Sequence, residues 1–300
     1  MMYRKIIIIL ISIIFFAADS YSQNDGSANT GLSFLKTGTG ARSLAMGEAY
    51  SSISDDATSI LYNPALVNSG NGNVTLSHNI SLIDYKASFV GTKFIFGKFG
   101  FGAGLIRAGV DDIEVRLVPG APVEKFDSQN LSLNVSAAYQ IYENFSIGVT
   151  SKLLYEKIYV DESSGVGFDI GTVYRKNNLA LSFVVANIGS MNELKSVSTK
   201  LPTLVRFGGG YFYPVKDFNF IFAAEGFKVL DGGMFHIHTG IEAGYKEFLL
   251  LRIGYQTNYE NKGFSAGLGF RYKGLNIDYA FIPYSNSFGT GNTFSIGYNF

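Results

Sequence analysis

From Val74 onward, apolar and polar positions alternate nearly one for one. Phe264, Ala266, Leu268, Phe270 and Tyr272 are separated by Ser265, Gly267, Gly269 and Arg271. Leu275, Ile277, Tyr279 and Phe281 follow the same rule, as do Leu131, Leu133, Val135, Ala137 and Tyr139. The last stretch, Asn292 to Phe300, alternates without error and puts Phe294, Ile296, Tyr298 and Phe300 on one face. A period of two places successive side chains on opposite faces of a strand. The pattern predicts strands over 74–82, 85–96, 99–107, 129–141, 145–159, 165–174, 179–189, 203–213, 218–228, 234–245, 248–257, 263–272, 275–282 and 292–300. Short connections such as Gly97-Lys98 and Lys273-Gly274 take turns with longer ones such as Ala108 to Ser128 and Ser190 to Pro202, and even Asp161 to Ser164 is expected to be loop. The first hairpin, near Ile83-Asp84, is the exception.

A soluble sandwich also alternates. Here the polar positions hold Gly, Ser and isolated charges, and each strand is close to the ~9–11 residues that cross a bilayer at a tilt. Aromatics make up 15% of the chain, with 26 Phe and 19 Tyr, while charged residues make up 16%. These features together predict an all-β fold, a transmembrane antiparallel β-barrel of about 14 strands. Closure satisfies every backbone group and leaves no edge in lipid. Lys+Arg and Asp+Glu are both 24, so no basic surface marks a nucleic-acid partner. No cysteine is present, which excludes disulfides, thiol catalysis and cysteine-type zinc sites.

The amino end carries Arg4 and Lys5, an apolar run from Ile6 to Ala18 broken only by Ser12, and Ser20 and Ser22 before Gln23. This is the pattern of a cleaved secretory signal over residues 1–22. The carboxy-terminal strand, with Tyr298 and a final Phe300, resembles the terminal assembly signal of bacterial outer-membrane barrels. The expected location is the outer membrane of a Gram-negative bacterium, with lipid as the first partner. Three units follow: the signal, a segment over 23–73, and a barrel over 74–300.

The middle unit is different in kind. Ala41 to Tyr50 is compatible with a short helix interrupted at Gly47. Asp55 or Asp56 is placed to cap a second short helix over Ala57 to Tyr62, which Pro64 ends. Gly31-Leu-Ser-Phe-Leu-Lys36, Gly40-Ala-Arg-Ser-Leu-Ala-Met-Gly47, Asp55-Asp56-Ala57 and Tyr62-Asn63-Pro64-Ala65 resemble the amino-terminal signature of the PorV/PorQ family. Weaker likenesses continue through Gly167-Phe-Asp-Ile-Gly171, Ala186-Asn-Ile-Gly189, Leu201-Pro-Thr-Leu204, Gly269-Phe-Arg-Tyr272 and Ile277-Asp-Tyr-Ala280. The resemblance implies a fourteen-stranded barrel with its leading segment folded into the lumen as a hatch, Asn63-Pro64-Ala65 forming a turn within it. It also implies a scaffold role beside type IX secretion subunits or secreted cargo. The related FadL-type channels imply the alternative, a passive channel for hydrophobic molecules.

Candidate chemistry is sparse. His236 and His238 share a strand face with Glu242, a spacing that a metal could use, but hydrated residues of a polar lumen fit far better and no metal is expected. Nothing sets a serine beside a histidine for nucleophilic catalysis, and Asp55-Asp56 suits a helix cap better than an acid–base pair. Gly38-Thr-Gly40-Ala-Arg-Ser43 lacks the third glycine and the preceding strand of a dinucleotide loop. Arg206, Glu225, Arg252, Arg271 and Asp278 occupy the polar alternate positions and should face the lumen, where mixed charge means internal pairing. No catalytic residue and no cofactor is expected.

If the terminal aromatic is an assembly signal, deleting Phe300 lowers the yield of heat-modifiable, membrane-inserted protein several-fold, while Phe300→Leu does so less. Equal insertion of the deletion and the intact chain would rule the signal out.

Overall fold

The computed structural model describes residues 29–81 and 84–300. The expected signal over 1–22 lies outside them, as do Leu82 and Ile83 of the first hairpin. Fourteen strands close into one barrel in which each strand pairs antiparallel with its sequence neighbours and the first with the last. They are β1 (Asn73–Ile80), β2 (Lys86–Phe96), β3 (Phe99–Val115), β4 (Glu124–Tyr142), β5 (Phe145–Ile158), β6 (Asp161–Lys176) and β7 (Leu179–Met191). After a small ribbon of Glu193–Leu194 and Val197–Ser198 come β8 (Leu204–Val215), β9 (Phe218–Val229), β10 (Phe235–Tyr245), β11 (Leu249–Gln256), β12 (Phe264–Tyr272), β13 (Leu275–Pro283) and β14 (Thr290–Asn299).

Burial alternates along the strands. Phe264, Leu268 and Phe270 point outward and are 48%, 44% and 45% exposed, which is the wrong side for a water-soluble fold and the right one for hydrocarbon. Aromatic pairs cluster at the tight-turn mouth, including Phe99–Tyr139 with centroids 4.7 Å apart and Phe218–Tyr245 at 5.0 Å, as an interfacial girdle requires. The terminal strand lies in this girdle. Tyr298 faces outward, the Phe300 ring sits 5.5 Å from that of Phe94, and the Phe300 amide donates to the Gly72 carbonyl at 2.9 Å.

Three expected boundaries are corrected. Most of Ala108 to Ser128 is strand, not loop, because β3 runs to Val115 and β4 starts at Glu124. Asp161 to Ser164 is also strand, so the β5–β6 connection is only Tyr159 and Val160. The first connection, 81–85, is longer than expected because β1 ends at Ile80 and β2 begins at Lys86. These strand ends carry Asp111, Asp112, Glu114, Lys125, Asp127 and Glu162, so the apolar alternation is lost where both faces meet water. At about 3.3 Å per residue β4 is roughly 60 Å long, well beyond a bilayer crossing. The β3–β6 wall therefore projects from the long-loop mouth.

Residues 29–72 run through the lumen. Near Asn29 the chain sits at the long-loop mouth, where the Gly31 amide donates to the Lys200 carbonyl at 3.0 Å and the Asn29 side chain donates to the Asp231 backbone carbonyl at 3.4 Å. It then forms a 3-10 turn (Ser33–Lys36), helix α1 (Ala41–Ala45), helix α2 (Ser59–Tyr62) and a second 3-10 turn (Pro64–Leu66), and leaves at the tight-turn mouth beside Phe300. The helices are shorter than the apolar spacing suggests. No helix among the described residues is long and apolar enough to cross a membrane.

Glycines on the inner wall let this backbone come close. A Cβ on Gly254 would fall 2.0 Å from the Gly47 nitrogen, and one on Gly148 would fall 2.3 Å from the Pro64 carbonyl carbon. Gly209 faces the other way, with nothing nearer than 3.9 Å. Gly254→Val is thus expected to expel the hatch and expose 29–72 to protease in an otherwise heat-modifiable barrel. Gly209→Val is expected to leave it protected, and equal protection in both variants would contradict the close fit.

Candidate functional site

The lumen holds ion pairs and apolar clusters side by side, and one set of pairs lies toward the tight-turn mouth. Arg42, on α1, donates to both oxygens of Glu242 on β10, at 2.7 and 2.9 Å. Arg252 on β11 donates to the same carboxylate at 2.5 Å and to Asp278 on β13 at 2.6 Å. Asp55 closes the chain of pairs on the hatch side, 2.5 Å from Arg42. Arg206 pairs with Glu225 at 2.6 Å, lies over the rings of Phe227 and Tyr62, and leaves the other Glu225 oxygen to accept from the Ser51 amide at 2.9 Å. Arg271 lies on the wall of a vestibule of about 760 Å³ at this mouth, with Asp55, Asp56 and Asp278 across from it.

The remaining sequence-derived candidates fall into place around these pairs. Asn63 is buried and donates to the carbonyls of Ser51 and Thr172, while its side-chain oxygen accepts from the Ala65 amide at 3.0 Å, fixing the turn that Pro64 begins. Neither aspartate is the N-cap of α2, which is Thr58 and has no side-chain cap bond. Asp56 instead accepts from the amide and hydroxyl of Thr58, a turn two residues long that sets the helix start. His236 and His238 are buried, 2% and 0% exposed, rather than hydrated. Tyr259, from the β11–β12 loop, covers them: its ring stacks on His236 at 3.9 Å, and its hydroxyl is 3.0 Å from His238 Nε2. No group of metal-ligating side chains occurs among the described residues.

Charge states in the hatch follow from these partners. Burial opposes ionisation of Glu48, but Lys262 at 3.0 Å, with His238 and Arg206 behind it, holds the carboxyl down at about 2. Burial would also raise Asp55, yet Arg42 keeps it below the usual carboxylate range. Burial and the neighbouring Asp55 push Asp56 up. The Lys262–Glu48 pair ties the β11–β12 loop to the hatch, and no local pattern announces it.

Toward the long-loop mouth an apolar cluster lies beside buried ion pairs. Leu32 and Phe34 of the hatch pack with the inward-facing Ala87, Phe89, Ile106, Ala108 and Leu154 and with Met191 and Leu201. A void of about 30 Å³, the share of one water, lies between Phe34, Tyr62 and Arg206. Beside this cluster the wall is irregular. The β6–β7 register shifts between Phe168 and Ile170, where Asn187 takes a φ of 60° and its amide donates to Asp169 at 2.8 Å. Lys152 fills the gap, 2.8 Å from Asp169 and 2.6 Å from the Asn187 side-chain oxygen. Arg42, Glu48, Lys152, Asp169 and Asn187 escaped the sequence reading. For Arg42, Asp169 and Asn187 a signal existed, since they sit within the Gly40–Gly47, Gly167–Gly171 and Ala186–Gly189 motifs.

Two outcomes are expected. Arg42→Met leaves Glu242 to Arg252 alone and removes the cation beside Asp55, and weakens hatch docking by about 1.5–3 kcal/mol, measured as amide exchange of 29–72. Glu48 has a folded pKa below its ordinary 4.5, so its stabilisation is full above that value and is lost as pH falls toward 2. The β11–β12 loop should accordingly gain exchange in acid in the native protein and show no such step in Glu48→Gln.

No family model matches the chain, and no curated protein matches it in sequence. Solved structures do match. The P. putida toluene transporter TodX covers 88% of this chain and 99% of its own, at 13% identity and a TM-score of 0.60. The TodX deltaS2S3 mutant monoaromatic hydrocarbon channel covers the same shares at 13% identity and a TM-score of 0.61. At that identity the likeness is one of fold alone, a closed fourteen-stranded barrel.

Proposed function

We propose that this chain is a non-enzymatic outer-membrane barrel of FadL-like type that admits small hydrophobic molecules through its long-loop half. The observation that carries this reading is the apolar cluster around Phe34, Phe89, Ile106 and Leu154, which lies toward the long-loop mouth inside the barrel. A water-filled pore has no use for such a lining. The fold shared with TodX, named as a toluene transporter, supports the same reading. So does the interrupted ladder at Asp169 and Asn187 next to the cluster, because a bulge leaves wall residues unpaired.

The second reading is the scaffold role implied by the PorV/PorQ resemblance, as an accessory to type IX protein secretion. Its support is the projecting β3–β6 wall, whose β3–β4 tip exposes Leu117, Val118 and Val123 at 80%, 70% and 63%. Exposed apolar groups on a projecting hairpin suit contact with another protein.

Uptake separates the two. Cells carrying the barrel are expected to take up a small neutral hydrophobe such as toluene several-fold faster than cells without it. Ala108→Trp, which fills the apolar cluster, is expected to abolish the gain at equal levels of heat-modifiable protein. If the intact barrel brings no acceleration and secretion subunits copurify from detergent-extracted membranes, the channel reading falls and the scaffold stands.

A further inference from the structure

The apolar cluster of the long-loop half has a polar rim that its own side chains do not satisfy. Asn130 on β4 and Glu156 on β5 are directly cross-strand partners, and both belong to the inward-facing sets of their strands. Side chains so paired have Cβ atoms about 4.5–5.5 Å apart. Asn130 Oδ1 and Glu156 Oε2 are both buried, and neither has a hydrogen-bond partner. Glu156 is 7% exposed, and the neighbour acting on its carboxylate is the Thr199 hydroxyl, with no cation among them. The two side chains lie on adjacent strands of one inner face, and a buried carboxylate without a cation is costly.

Position gives the pair a meaning. Glu156 lies two residues nearer the long-loop mouth than Leu154, and Asn130 pairs across its other ladder with Ala108. Leu154 and Ala108 belong to the apolar cluster that Leu32 and Phe34 fill from the hatch. The rim therefore offers two acceptors, one of them a carboxylate, beside the apolar cluster. Resting on the reading of this half as an entry for hydrophobic molecules, we propose that Asn130 and Glu156 form a head-group site selecting amphiphiles with a cationic or hydrogen-bond-donating head, alkyl or aryl amines above all. The ammonium sits between Asn130 Oδ1 and Glu156 Oε2, and the apolar body enters below, against Ile106, Ala108 and Leu154. The same carboxylate repels a fatty acid or any other anionic amphiphile, so the site discriminates by repulsion as well as attraction.

The test uses the full chain in a non-ionic detergent and three six-carbon probes at pH 7: hexylammonium, hexanol and hexanoate. Binding is measured by equilibrium dialysis. The native barrel is expected to bind hexylammonium at least tenfold tighter than hexanoate, with hexanol between them. Glu156→Gln should bring the three within about twofold while hexanol affinity stays unchanged, and Asn130→Leu should weaken hexylammonium several-fold without helping hexanoate. Heat-modifiability confirms that each variant is assembled. If the native protein binds all three alike, or keeps its preference in Glu156→Gln, the rim is only hydrated and the head-group site is overturned while the hydrophobic entry survives. If no probe binds, hexanol included, the hydrophobic entry itself fails and the head-group site fails with it.

Discussion

Everything in this molecule depends on the ladder between β1 and β14. In lipid an open edge would leave a row of amide and carbonyl groups without partners, each costing several kcal/mol. Pairing Asn73 through Ile80 with Asn299 back to Asn292 removes that edge. Closure then fixes the circumference, and a fixed circumference fixes a lumen that must be filled by water or by protein. The sheet's inner face, rich in Gly and Ser, leaves room for a whole chain segment, and residues 29–72 supply it.

The hatch is seated by both ion pairs and apolar contacts, and the two kinds of contact do different work. A buried ion pair gains little over a well-packed apolar pair, but separating its partners costs about 3–5 kcal/mol. The set of Arg42, Glu242, Arg252, Asp278 and Asp55 therefore acts mainly as a register device: a hatch displaced by one residue strands charges on both sides. Apolar contacts around Phe34 tolerate small shifts because they are non-directional.

Sequence alternation showed where lipid touches one face and the lumen the other, which is why the strands through the membrane zone were legible. It faded at Val110 to Val115 and Glu124 to Ser128, where water wets both faces and nothing imposes a period of two. The lumen was legible only as a set of inward positions. Arg206, Glu225, Glu242, Arg252, Arg271 and Asp278 were recognisable as facing in, but who pairs with whom was not, because Arg42 and Glu242 meet across 200 residues of chain. The histidines show the same limit. Their shared face was visible, whereas the burial that Tyr259 imposes comes from a different hairpin.

The course of the hatch also orders assembly in time. Its chain lies at one mouth near Asn29 and leaves at the other near Gly72, so the ring is tied around its own leading thread. Feeding that thread end-first through a finished ring would drag Leu32 and Phe34 past the buried charges, through a bore in which Gly47 already lies against Gly254. The cheaper sequence is for the curling sheet to gather around the segment and for β1 and β14 to meet last. On that view the hatch is a mandrel: the form on which the barrel is wound before it becomes the stopper that fills it.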